Sequence, residues 1–172
     1  RIMKEKGVDE VFEAAERLKA DGENFIIDMV GFFEDEYRNK VEEMQGKGIV
    51  KFHGFVEDPR PYYQHTDCVV MPSYHEGMSN VLLEAAASAR PVIATDRSGC
   101  RETLDAGVTG YLIPIQNEKA LVQALDDFMN LIWEERQRMG LAGRQKMERE
   151  FDRQMVVQKY IEVLDGYRTV VL

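Results

Sequence analysis

Hydrophobic positions along this chain change their period several times, and each change marks an expected element. Val8, Val11, Phe12, Ala15 and Leu18 recur at the spacing of one helix face, so residues 7–20 read as an amphipathic helix. FIIDMVG at 25–31 is a short apolar run closed by glycine, the mark of a buried strand, and the charged stretch 34–45 reads helical. IVKFHGF at 49–55 predicts a second strand. Asp58-Pro59 then supplies an N-cap and a first-turn proline for a short helix. CVVMPS at 68–73 is a strand stopped by Pro72, and PVIAT at 91–95 and GYLIP at 110–114 are two more. Ser98-Gly99 opens a short helix near 99–106. From Asn117 onward the pattern is helical, with breaks expected near Gly140 and at Phe151-Asp152.

Strands separated by helices of this length predict βαβ units: an α/β fold with a mostly parallel, Rossmann-like sheet in a three-layer α/β/α arrangement. Ligands of such sheets gather outside the carboxyl ends of the strands, often against a helix N-terminus. Residues 117–170 lack the alternation and read as packing helices, with Trp133 expected in the core. Neither an internal repeat nor a low-complexity segment interrupts the chain.

Composition narrows the possibilities. A chain of 172 residues suits one domain and buries a real core. Its formal net charge of −9 argues against a broad nucleic-acid surface, yet leaves room for one small anion held by a few local cations. No apolar run approaches the ~20 residues of a membrane span. Cys68 and Cys100 have neither metal-type spacing nor a disulfide signal, which points to a reducing, cytoplasmic setting. The first residue is Arg1 rather than Met, as expected of a piece of something longer.

The chemistry concentrates in HEGMSNVLLEAAASARPVIAT, residues 75–95. Gly77, Met78, Ser79 and Asn80 lie between strand and helix, where their amides are expected as free donors at a positive helix end. Glu84 sits among Val81, Leu82, Leu83, Ala85, Ala86 and Ala87, which reads as a helix buried nearly all round. A carboxylate there needs a partner. Either it lies on a narrow solvent-facing stripe, or it accepts hydrogen bonds from ligand hydroxyls, with Glu76 aimed into the same cleft.

Glu76 and Glu84 form an E-x7-E pair inside PSYHEGMSNVLLEAAASARPVIATDRSGCRET, preceded by FHGFVEDPRPYYQHTDCVV and followed by GVTGYLIP. This succession resembles the C-terminal, donor-binding domain of the retaining GT-B glycosyltransferases of family 4, in the wording of members that build capsule, exopolysaccharide or O-antigen. The resemblance covers nearly the whole chain and implies a single nucleotide-sugar-binding domain over 1–172, its acceptor-binding N-terminal partner absent. It implies a UDP- or GDP-linked hexose as donor, with no metal and no other cofactor. It implies that Glu84 binds the ribose and that Glu76 lies against the donor sugar. Gly77, Met78, Ser79 and Asn80 would contact sugar and phosphates, and Arg1 and Lys6 would neutralise the diphosphate. The base would sit near Gly54, Phe55 and Val56, with His75 lining the cleft. The acceptor would be a glycan or lipid-linked glycan, reached through the missing half at the inner face of the plasma membrane.

Outside that resemblance, Arg1 and Lys6 read as a solvated chain end and a surface lysine. His53 and His65 read as structural or surface residues, and Glu102 as a helix-dipole partner. Two departures from the family pattern carry expectations. Ala89 stands where glycine is usual, at a cost of about 1 kcal/mol if the helix ends left-handed. The strand that normally precedes Arg1, central in the sheet, is missing, so Arg1 should be poorly placed or the sheet one strand short. A nucleotide-sugar epimerase domain and a non-catalytic doubly wound module are the competing readings. Glu84 on a polar face far from any cleft would favour the module.

Overall fold

Alternating apolar runs and amphipathic helices give five strands, all parallel, in a computed structural model that describes residues 1–168. They fall into two sheets. Strand β1 (Ile27–Val30) pairs with β2 (Val50–Gly54), while β3 (Val69–Met71), β4 (Val92–Thr95) and β5 (Gly110–Ile113) pair in that order. The helices are α1 (Val8–Ala20), α2 (Arg38–Gly46), α3 (Arg60–His65), α4 (Asn80–Ala87), α5 (Glu118–Asn130), α6 (Trp133–Glu150) and α7 (Arg153–Arg168).

Helix α1 holds the two sheets together. Its Val8, Phe12 and Ala15 pack with Val41, Met44 and Val50 over the first sheet. Its Ala14 packs with Ile93, Leu121 and Phe128 over the second. On the opposite layer, Leu82 and Ala85 of α4 meet Tyr63, Val92, Cys100 and Leu104. Burial of such side chains contributes on the order of 2 kcal/mol each, so these clusters carry most of the fold's stabilisation.

Among the described residues, neither β1 nor β3 has a second strand neighbour. Between them lies a slot of about 1200 Å³ lined by Ile27, Met29, Val69, Met71, Val8 and Val11. The described strands therefore form two separate sheets that flank this slot. The chain enters at the slot's upper end: Ile2 donates its N–H to the Phe32 carbonyl at 2.8 Å and forms a single parallel bridge with Phe33.

Several sequence expectations are corrected. Helix α6 runs straight through Gly140, and the break falls instead at Leu131–Ile132. Gly140 is a packing glycine: a Cβ there would stand 2.1 Å from the Ala89 carbonyl oxygen. Trp133 is 65% exposed at the start of α6, not in the core. Helices α5 and α6 do pack, against α1 and α4. Along α7, residues 153–167 are exposed throughout, with Val156, Tyr160, Ile161, Leu164 and Tyr167 open to solvent. The helix expected near 99–106 is a single 3-10 turn at Arg101–Thr103, and Asp58 precedes α3 by two residues, its carboxylate accepting the Arg60 N–H at 3.0 Å. Among the described residues, no helix is long and apolar enough to cross a membrane.

Helix α4 ends left-handed, with Ala89 at φ 55°. The Arg90 N–H reaches the Ala85 carbonyl and the Ala89 N–H reaches that of Ala86, both at 2.9 Å, which is the pairing of a Schellman cap. A Cβ is disfavoured at that φ, so Ala89→Gly is expected to stabilise the chain by about 1 kcal/mol. Urea unfolding measures it; an unchanged midpoint would mean the cap already accommodates alanine without strain.

Candidate functional site

Parallel pairing places the carboxyl ends of all five strands on one edge, so the loops after them meet there. The loop Pro72–Ser79, between β3 and α4, is held from both sides. Gly7, at φ 70°, leaves no room for a Cβ, which would stand 2.2 Å from the Pro72 carbonyl oxygen. Gly99, at φ 86° in the loop after β4, is equally tight: a Cβ would lie 2.5 Å from the carbonyl oxygens of Glu76 and Gly77.

Polar contacts complete the clamp. The Glu5 carbonyl accepts from the Tyr74 N–H at 2.8 Å and from Ser73 Oγ at 3.0 Å. Thr95 Oγ1, at the end of β4, donates to the Ser73 carbonyl. Tyr74 is buried and its hydroxyl donates to Glu10 Oε1 at 2.5 Å. Burial, then that bond, pushes the hydroxyl's pKa up to about 12, so it stays a donor at any physiological pH. Glu102 accepts the Gly99 N–H at 2.7 Å. Its own backbone N–H, and then that of Gly99, hold its carboxyl below the usual range. This ties Glu102 to the loop rather than to helix-dipole compensation alone.

Within this frame Lys6 and Glu76 meet directly, Nζ to Oε1 at 2.5 Å, with side chains 28% and 13% exposed. Lys6 is thus a cleft residue and not a free surface lysine. The amides of Gly77, Met78 and Asn80 have no acceptor among the described residues, and all three residues are exposed at the start of α4 or just before it. Ser79 differs from expectation. It is buried, and its N–H is committed to the Gly99 carbonyl at 2.9 Å, so three loop amides rather than four are free.

Glu84 also differs from the all-round burial read from its neighbours. Only Leu82, Ala85 and Ala86 of α4 are buried; Asn80, Glu84 and Ala87 form an exposed stripe. Of the two readings, the solvent-facing stripe is the one the structure shows. The stripe nevertheless begins at Asn80 in the site loop, so Glu84 lies one turn from the free amides and not on a remote face. Tyr63 donates its hydroxyl to Glu84 Oε2 at 3.0 Å, which orients the carboxylate.

The remaining expected residues divide. Gly54, at φ 71°, ends β2 on the same edge and presents Phe55, 73% exposed, with Val56 half-buried behind it. His75 is exposed beside Glu76. His53 is occupied by Asp28 at 2.5 Å, and His65 is exposed on α3. Arg1 turns its guanidinium away, 3.7 Å from Glu34 and over the Phe32 ring at 5.4 Å. Sequence reasoning missed Ser73, Tyr74, Glu10, Gly7 and Gly99 as builders of the site. The glycines were visible, but the backbone that crowds them lies far along the chain.

Residues 1–146 match the sequence profile of the glycosyl transferases group 1 family. The chain belongs to that family. Among its relatives is the capsular polysaccharide biosynthesis glycosyltransferase CapM of Staphylococcus aureus, 29% identical over 91% of this chain and 42% of CapM. The chain spans less than half the length of such curated relatives. Its fold matches Anabaena HepE, solved in complex with UDP, with a TM-score of 0.83 at 21% identity over 96% of this chain and 47% of HepE. It also matches the C-terminal domain of the group 1 protein LpcC from Francisella tularensis. There the TM-score is 0.74 at 26% identity, over 88% of this chain and 82% of that one. This group 1 domain therefore has the GT-B C-terminal α/β fold, and neither the epimerase reading nor the non-catalytic module finds support.

Proposed function

We propose that this group 1 domain is the donor-binding half of a retaining glycosyltransferase. It would move a hexosyl group from a UDP- or GDP-linked sugar to a growing cell-surface polysaccharide or lipid-linked glycan. The observation that carries the reading is the convergence of Lys6, Glu76 and the free amides of Gly77, Met78 and Asn80 at one strand edge. When a nucleoside diphosphate departs, negative charge builds on its β-phosphate. A lysine and a helix N-terminus, already oriented, stabilise that charge with no metal in the scheme. Glu84, aimed along the open stripe by Tyr63, would take the ribose hydroxyls. Phe55 and its neighbours would flank the base, and Glu76 the sugar. Configuration would be retained by front-face attack, the leaving phosphate helping to deprotonate the acceptor, and neither glutamate is assigned as nucleophile.

Acceptor binding falls to residues outside this chain. The work would take place in the cytoplasm, at the inner face of the plasma membrane if the acceptor is lipid-linked. Titration calorimetry with UDP and GDP tests the donor site. Glu84→Ala is expected to weaken the preferred nucleotide at least tenfold, since a carboxylate bound to ribose hydroxyls contributes about 1.5–3 kcal/mol. An unchanged affinity removes Glu84 from the site.

A further inference from the structure

The ion pair at the centre of the site is built by the backbone rather than left to two mobile side chains. Lys6 follows Glu5, whose carbonyl accepts from both Tyr74 and Ser73. Glu76 stands two residues beyond Tyr74, and Gly99 packs against its own carbonyl. Both partners therefore hang from one clamped frame, and they meet at 2.5 Å in a cleft that is largely closed to solvent around Glu76. The cation best placed for a diphosphate is thus already neutralised by the protein's own carboxylate.

We infer that Glu76 is a specificity-determining residue that makes the site favour the intact nucleotide sugar over the spent nucleoside diphosphate. The inference rests on the donor-site reading above. A diphosphate that shares Lys6 or draws it off Glu76 brings further negative charge beside that carboxylate, in a place where water screens poorly. An intact donor brings sugar hydroxyls that donate to Glu76 and replace the lysine it gives up. The same carboxylate therefore opposes one ligand and accepts the other, and it helps to expel the nucleoside diphosphate once the sugar has left.

Glu76→Gln keeps the shape and a hydrogen-bonding oxygen but removes the charge. Calorimetry on the 172-residue chain would compare UDP with UDP-glucose and GDP with GDP-mannose, in wild type and variant, with a thermal midpoint to show that the variant is folded. The variant is expected to bind the nucleoside diphosphate about tenfold more tightly and the nucleotide sugar no more tightly. Glu76→Asp, which draws the carboxylate back by one methylene, is expected to move the ratio the same way by a smaller factor. Equal tightening for both ligands overturns the inference, because it would mark plain repulsion without discrimination. No change for either overturns it as well. A wild-type chain that binds none of the four ligands counts instead against the donor-site reading itself.

Discussion

A chain extended by five apolar, β-branched residues ahead of Arg1 is expected to unfold well above the 172-residue chain. The slot between β1 and β3 is lined by Ile27, Met29, Val69 and Met71, and among the described residues each flanking strand has one edge without a strand partner. A parallel strand entering there would end at Arg1, whose backbone nitrogen would stand 3.7 Å from a Cβ on Gly31, just past the end of β1. Five central side chains at about 2 kcal/mol each, plus ladder hydrogen bonds on both sides, oppose about 2 kcal/mol per residue of lost chain freedom. The balance is a gain on the order of 5 kcal/mol, or roughly 10–20 °C in the unfolding midpoint for a domain of this size. A Gly-Ser extension of equal length is the control and should change nothing. If both extensions leave the midpoint where it was, the slot is not a strand site.

Gly99→Ala is expected to do the most damage to ligand binding. The added Cβ would meet two backbone carbonyl oxygens at 2.5 Å, at a φ of 86° that alanine resists. Neither carbonyl can swing aside as a flexible side chain would, so the loop carrying Glu76 and Gly77 must move. Its movement would break the bond from the Ser79 N–H to the Gly99 carbonyl and draw Glu76 off Lys6. Stability should fall by about 2–3 kcal/mol, typical of a clash at a special backbone conformation. Nucleotide affinity should fall at least a hundredfold, because misplaced donors lose the ligand without losing the fold. Calorimetry and urea unfolding on one preparation separate the two effects. Affinity within threefold of wild type would show that the loop relocates as a unit, and the two-glycine clamp would not govern the site.

Much of this molecule could be read before any coordinate. The period of the apolar residues located all five strands and nearly every helix, because side-chain alternation and the 3.6-residue turn are local properties of the backbone. The wording from His75 to Thr95 pointed to the site loop, and the departure at Ala89 was visible as a missing glycine. Gly140 was misread because a glycine that permits close packing has the same letter as one that ends a helix. The helix around Glu84 reads as buried nearly all round because alanine is at home on either face, so Ala85 and Ala86 are core while Ala87 lies open and Glu84 takes the solvent-facing stripe, one of its two readings.

What the amino-acid order determined by itself was therefore the set of elements, their parallel class and the short motif that holds the chemistry. Tertiary structure alone decided that Gly7 and Gly99 grip one loop, that Ser79 spends its amide on Gly99, and that Lys6 rests on Glu76. The physical reason is range. Periodicity is written between neighbours a few residues apart, whereas these contacts join segments that only chain reversal through the sheet brings within a few ångströms.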